Sequence, residues 1–281
     1  MNESDATVDA PRERPLIRIA APGAPWRWIA RGFADMRAAP WPSLFYGVMF
    51  AAMGAALRGF VHVAALELAL VTGFLLVGPF LAVGLYDISR ELASRRPVLL
   101  SHTLVAWQAN APSIGFYALI LALLLAVWVR VSVVVVALFF TSELPQEGSL
   151  LGQLASSPEG WVFMASYASA GAGFALLVFA TSVVSVPMLL DWHGMDTLTA
   201  MITSFQALQA NFRMMLLWAG AIVILVGVGV ATWYVGLVFT APLVGHASWH
   251  AYRDTVGRSS AAGQGEAGGD SLAVAREENA L

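Results

Sequence analysis

Apolar side chains make up 58% of the 281 residues and charged ones 12%, against roughly 45–50% and about 25% in soluble domains, so the chain reads as an integral membrane protein. Cysteine is absent, which excludes disulfides and thiolate chemistry and leaves a zinc site only His and carboxylate ligands. The net charge of −3, with all 15 basic residues Arg, supplies no basic field for nucleic acid.

Met1 to about Pro25 is polar and aperiodic, which predicts a disordered tail over 1–25 and no signal peptide. From Pro25 to Ala38 a helix with Trp26, Ile29, Ala30 and Phe33 on one face and Arg27, Arg31 and Asp35 largely on the other is expected. It either lies in the membrane interface or packs on the bundle as a pre-helix. Apolar runs at Ser43 to Leu57 and Val61 to Tyr86 form a first hairpin, the first run being short for a span. Gly47, Ala51 and Ala55 recur at every fourth residue and offer a close-approach face.

An amphipathic piece, Ser101 to Asn110, precedes the second pair, Pro112 to Phe140 and Trp161 to Leu190. An unbroken helix over Pro112 to Phe140 measures about 43 Å, beyond a hydrocarbon core of roughly 30 Å, so it must tilt, break or protrude. Small residues on the return helix (Ala165, Ser166, Ala168, Ser169, Gly171, Gly173) predict a face buried against protein. A third amphipathic stretch carries Leu198, Ile202, Phe205 and Leu208, and the last run, Met214 to Val244, is read as a hairpin turning near Gly229 to Trp233.

The expected fold is all-α: a polytopic bundle of about six transmembrane helices, as three hairpins each preceded by an amphipathic interfacial helix. The transmembrane domain covers 26–256, with repeats near 26–91, 97–194 and 195–256, and 257–281 is a second disordered tail. Six spans put the arginines of 12–37, 90–96, 213, 253 and 258 on one side and the Arg-free loop of Glu143, Glu147 and Glu159 on the other, as the positive-inside rule asks. Both termini are then cytoplasmic, in a bacterial inner membrane.

Three exits carry the repeat. GPFLAVGLYDISRE (78–91) holds Pro79, Tyr86, Asp87 and Arg90; VPMLLDWHGMD (186–196) holds Pro187; APLVGHASWHAYRD (241–254) holds Pro242, Tyr252 and Arg253. Each proline stands about two turns before a polar, aromatic exit at the headgroup layer, and a kink is expected at each. A second echo, WQAN at 107–110 and LQAN at 208–211, stands before an apolar run each time.

With GFADMRAAPWPSLFYG (32–47), the first and third exit phrases resemble an uncharacterised family of bacterial integral membrane proteins, domain of unknown function twenty-one eighty-nine, from about Trp28 to Val256. The resemblance implies a membrane bundle and no catalytic or binding residues. Some members are likened to respiratory oxidase subunits, whose cores hold haem and copper on histidines of packed helices; this chain has five His.

His246 and His250, four apart, share a helical face and either face a ligand together or meet headgroups in an interfacial belt. His62 belongs to the outer turn, and His102 and His193 to the inner surface. Glu67 and Arg130 are charges inside apolar runs at similar depth, and form either an outer-leaflet ion pair or part of a proton or ion relay. No enzyme signature, cofactor motif or metal cluster is found. The expected function is a non-catalytic scaffold or accessory factor acting through lipid, a membrane-protein partner or a homo-oligomer. A transporter or channel for a small solute or lipid is the alternative, and a haem-binding accessory protein the third reading.

Overall fold

The computed structural model describes residues 14–61, 64–140, 154 and 156–259. Strand β1 (Arg14–Ile17) is followed by helices α1 (Ala24–Ala38), α2 (Pro40–Phe60), α3 (Ala64–Leu81), α4 (Val83–Ala93) and α5 (Leu100–Leu104). A 3-10 turn (Ala106–Asn110) leads into α6 (Ala111–Phe139). Then come α7 (Pro158–Ser182), α8 (Ser185–Asp191), α9 (Thr197–Ala210), α10 (Phe212–Ala231), α11 (Leu237–Thr255) and strand β2 (Val256–Ser259). The all-α membrane bundle expected from composition is the architecture observed.

Among the described residues, five stretches are long and apolar enough to cross a membrane: 40–60, 68–93, 106–139, 158–191 and 212–231. The last apolar run is nevertheless two helices, separated by a turn at 232–236. α11 falls outside the five by composition, since its second half carries His246, Ser248, His250, Arg253 and Asp254. It lies against α1, α2, α4 and α10, so protein rather than lipid covers its polar residues. The turn sits three residues later than the glycines suggested. Trp233 and Tyr234 both adopt left-handed backbone (φ 57° and 66°), a conformation that costs non-glycine residues about 1–3 kcal/mol unless the surroundings hold it. Tyr234 is buried against Gly54, and the Arg58 guanidinium stacks 4.5 Å over the Trp233 ring.

Three expectations about the runs change. α2 has 21 residues, about 31 Å at 1.5 Å per residue, and is long enough to span because Pro40 to Pro42 and Arg58 to Phe60 join it. Its close-approach side is Gly47 and Gly54; Ala55 is exposed. On α7 the small residues Ala165, Ala168, Ser169 and Gly173 face outward. The helix packs instead through its aromatics, with Tyr167 and Phe174 edge-on to Trp128 at 5.4 Å each.

The prolines act differently at each exit. Pro187 clashes with the carbonyl four residues before it, and the chain breaks at 183–184, between α7 and α8. The freed Val184 N–H is taken by Ser204 Oγ of α9. After Pro79 the break is the single residue Ala82, and α11 runs unbroken through Pro242.

Residues 14–25 and 257–259, expected within disordered tails, are ordered. β1 pairs antiparallel with β2, Arg14 opposite Ser259 and Ile17 opposite Val256. Asn211 anchors the following segment, donating to Arg18 O and accepting from Ala20 N at 2.7 Å. Ordering here comes from partners about two hundred residues away, which no local periodicity records.

At the start of α9, Asp196 accepts the Thr199 N–H at 2.8 Å as N-cap, and that N–H holds the carboxyl below its ordinary 3.8. Asp196→Ala is expected to cost about 1 kcal/mol. The cap's contribution is complete above the ordinary value and is lost as pH falls through the lower folded-state value. Denaturation of wild type and variant against pH checks this, the two converging at low pH.

Candidate functional site

The polar chemistry gathers where α11 meets α1, α2 and α4. His246, His250 and Asp254 recur at every fourth residue and form one stripe along α11. Trp28, Arg31, Asp35 and Ser43 form a facing stripe on α1 and the start of α2, running in the opposite direction. Asp254 accepts from Trp28 Nε1 at 2.8 Å and from Arg31 at 2.9 Å. His250 Nε2 meets Asp35 Oδ2 at 2.8 Å. His246 Nε2 meets Ser43 Oγ at 2.9 Å, and its Nδ1 meets Ser89 Oγ of α4 at 2.9 Å. Gly32 lets the helices approach this closely, because a Cβ there would lie 2.7 Å from Ala247 N.

Hydrogen counting limits what the cluster can do. Ser43 Oγ also reaches Ala39 O at 2.7 Å, and Ser89 Oγ reaches Asp35 Oδ2 at 2.7 Å. Each serine has one hydroxyl hydrogen. If both donate away from the ring, both His246 nitrogens must donate; a neutral ring draws one serine hydrogen to itself and breaks one outer bond. The tautomer of His246 therefore decides whether Ala39 O or Asp35 loses a donor. A serine beside an imidazole suggests a nucleophile and base, and here both Ser43 and His246 are fully buried.

The exit at 189–191 is clasped from all sides. Its last carbonyls have no helical donors, and each takes a side chain from a different element: Leu189 O from Asn110, Leu190 O from Arg90, Asp191 O from Arg258. Asn110 also donates to Met195 O. The Asp191 carboxylate accepts from Tyr252 Oη at 2.7 Å and Arg253 at 3.3 Å. Asp87 is buried and paired with Arg90.

The exit residues named from sequence are thus brought together, Arg90, Tyr252 and Arg253 converging on the second exit. His246 and His250 share a face as expected, and engage Ser43, Ser89 and Asp35, because α11's polar side turns into the bundle. Among the described residues, no group of three His, Cys, Asp or Glu is placed to hold a metal ion. Arg130 is exposed on α6. The Glu67 side chain, His62, Glu143 and Glu147 lie outside the described residues, and so does the Glu67–Arg130 pairing. His102 and His193 are exposed. Sequence reasoning missed Ser43, Ser89, Asp191 and Asp254 as partners. The two asparagines were signalled by the QAN echo.

In comparison with known proteins, the model of the family described as predicted integral membrane protein (DUF2189) matches residues 67–191. That span holds the first exit and the whole second hairpin, a narrower likeness than the Trp28 to Val256 expected. No curated protein and no solved structure matches the chain.

Proposed function

With residues 67–191 matching that family of integral membrane proteins, we propose that this multi-pass protein is a non-catalytic scaffold or accessory factor of the bacterial inner membrane. Its termini are cytoplasmic, and it acts through partners in the bilayer. The carrying observation is that the densest polar cluster among the described residues is closed on itself: His246, Ser43 and Ser89, all buried, bond one another and lead to the half-buried Asp35 and His250, so that four helices meet through one network. Such a cluster holds helices in register and offers a substrate no entry. The outward small-residue face of α7 is a surface on which a partner helix or a second copy packs in this reading.

Purification from native membranes in mild detergent, with identification of what co-purifies, tests the proposal. A stoichiometric membrane-protein partner or a stable homo-oligomer supports it; a monodisperse monomer that moves a solute in proteoliposomes overturns it. Reporter fusions test the orientation. Fusions at the C-terminus are expected to be active only as cytoplasmic reporters, and fusions within 143–159 only as periplasmic ones.

A further inference from the structure

We infer that α1, α5 with its following turn, and α9 form a collar seated in the headgroup and acyl boundary of one leaflet, binding anionic phospholipid. The inference rests on the membrane bundle alone and stands whether the protein scaffolds or transports.

The first observation is an inversion of amphipathic packing. On α9 the buried side is mostly small and polar: Thr197, Ala200, Thr203, Ser204 and Ala207, with Leu208 the one large apolar residue among them. The outward side is large and apolar, with Leu198 65% exposed and Ile202 and Phe205 each 49%. These fall at i, i+4 and i+7, a continuous stripe. Facing water, such a stripe forfeits roughly 25 cal/mol for each Å² left unburied, so the helix has its large residues on the favourable side only if the surroundings are apolar. On α1, Trp28 and Gly32 face inward, whereas Trp26 is 74% exposed and Phe33 also points out, and Trp41 at the start of α2 is 82% exposed. The short middle member repeats the arrangement, with Thr103, Ala106 and Asn110 buried and Leu104 and Trp107 outside.

The second observation places all three at one level. Each pre-helix enters its span through a single buried residue of similar backbone: Ala39 at φ −130°, ψ 65°, Asn110 at −148°, 53° and Asn211 at −119°, 30°. Hydrogen bonds tie the three bends to one another's pre-helices: Tyr46 of α2 donates to Thr103 before the second bend, Asn110 to Met195 O before α9, and Asn211 to Arg18 O before α1, which groups the bends at one end of the bundle. The outward stripes then run on into span surfaces that lipid must cover, through Phe212, Leu216 and Leu217 on α10 and Phe116 and Leu119 on α6.

Charge fixes the lipid class. Arg27 and Arg37 on α1 and Arg213 at the foot of α10 are exposed beside these stripes, and Arg37 lies over the Phe33 ring at 5.9 Å. Aromatic rings at the boundary with guanidinium groups at its polar edge match an anionic headgroup layer.

The absence of cysteine makes each introduced thiol unique. Spin labels at Leu198→Cys, Ile202→Cys, Phe205→Cys and Phe33→Cys, in full-length protein in phosphatidylglycerol and phosphatidylcholine nanodiscs, are compared with Arg27→Cys. At the four outward positions, collision with oxygen is expected to exceed collision with a water-soluble nickel chelate several-fold, reversing at Arg27. Chelate dominance at all positions places the face in water and overturns the collar. Immobile labels shielded from both reagents place a partner protein or second copy there, with the same result. The anionic preference is read from the melting temperature, which should be higher with phosphatidylglycerol. That gain should vanish in high salt or with Arg27→Gln, Arg37→Gln and Arg213→Gln combined; equal melting in both lipids overturns it.

Discussion

Gly47→Ala is expected to destabilise the protein by about 3 kcal/mol in detergent, although alanine is the better helix former by about 1 kcal/mol in an open position. A Cβ at residue 47 would stand 2.0 Å from Val238 O and 2.7 Å from Val238 C, both backbone atoms. Val238 is four residues before Pro242, which has no N–H to give it. That carbonyl is left without its helical donor, and it faces α2 where only a hydrogen occupies the glycine. Gly47 and Pro242 are therefore one device, a proline freeing a carbonyl and a glycine making room for it. Two companions separate this from a general loss of helix flexibility. Gly220→Ala, with nothing within 4 Å of the added atom, should be neutral or slightly stabilising. Pro242→Ala, by returning a donor to Val238 O, should recover part of the Gly47→Ala loss. Equal melting of Gly47→Ala and Gly220→Ala in a detergent denaturation series would remove the close approach from the account.

The same pair shows how far the sequence could be read. Pro242 was legible as a member of three proline exits and Gly47 as a small residue on a helix face, each from local pattern. Their partnership was not, because 195 positions separate them and nothing in the spacing of either names the other. The turn between α10 and α11 was legible in existence and misplaced in position. Glycine marks where left-handed backbone is cheap, while here Trp233 and Tyr234 carry it and are held by Arg58 and Gly54.

The face assignments on α7 and α11 failed for a related reason. Periodicity shows that α9 and α7 have distinct sides, but whether the large side turns in or out depends on whether lipid or protein lies beyond it. In water the large side goes in; at a bilayer boundary it goes out, as Leu198, Ile202 and Phe205 do. Polar residues on α11 were read as an exposed belt by the logic of a helix leaving the membrane. That logic fails for a helix encircled by protein, where Ser43, Ser89 and Asp35 take the place of headgroups.

His246→Leu is expected to cost roughly 2–4 kcal/mol, the second large effect, because leucine fills most of the volume yet leaves two buried hydroxyls without a ring partner. Ser43 retains Ala39 O and Ser89 retains Asp35, so the penalty is set by the hydroxyl oxygens that lose their contact with the ring and by the altered packing. If the cluster serves register rather than chemistry, removing the histidine together with its two serine partners should be tolerated better than removing the histidine alone. Ser43→Ala, Ser89→Ala and His246→Leu combined is therefore expected to be more stable than His246→Leu alone, since no buried hydroxyl is left over, Asp35 keeps His250 and Ala39 O keeps the Ser43 N–H. Chemical denaturation of the single, double and triple variants in one detergent checks this through the coupling energies of the cycle. Losses that simply add would mean that the three side chains do not act as a unit. A triple variant that melts like wild type while a purified partner no longer binds would instead move His246 from holding the bundle together to shaping the surface the partner reads.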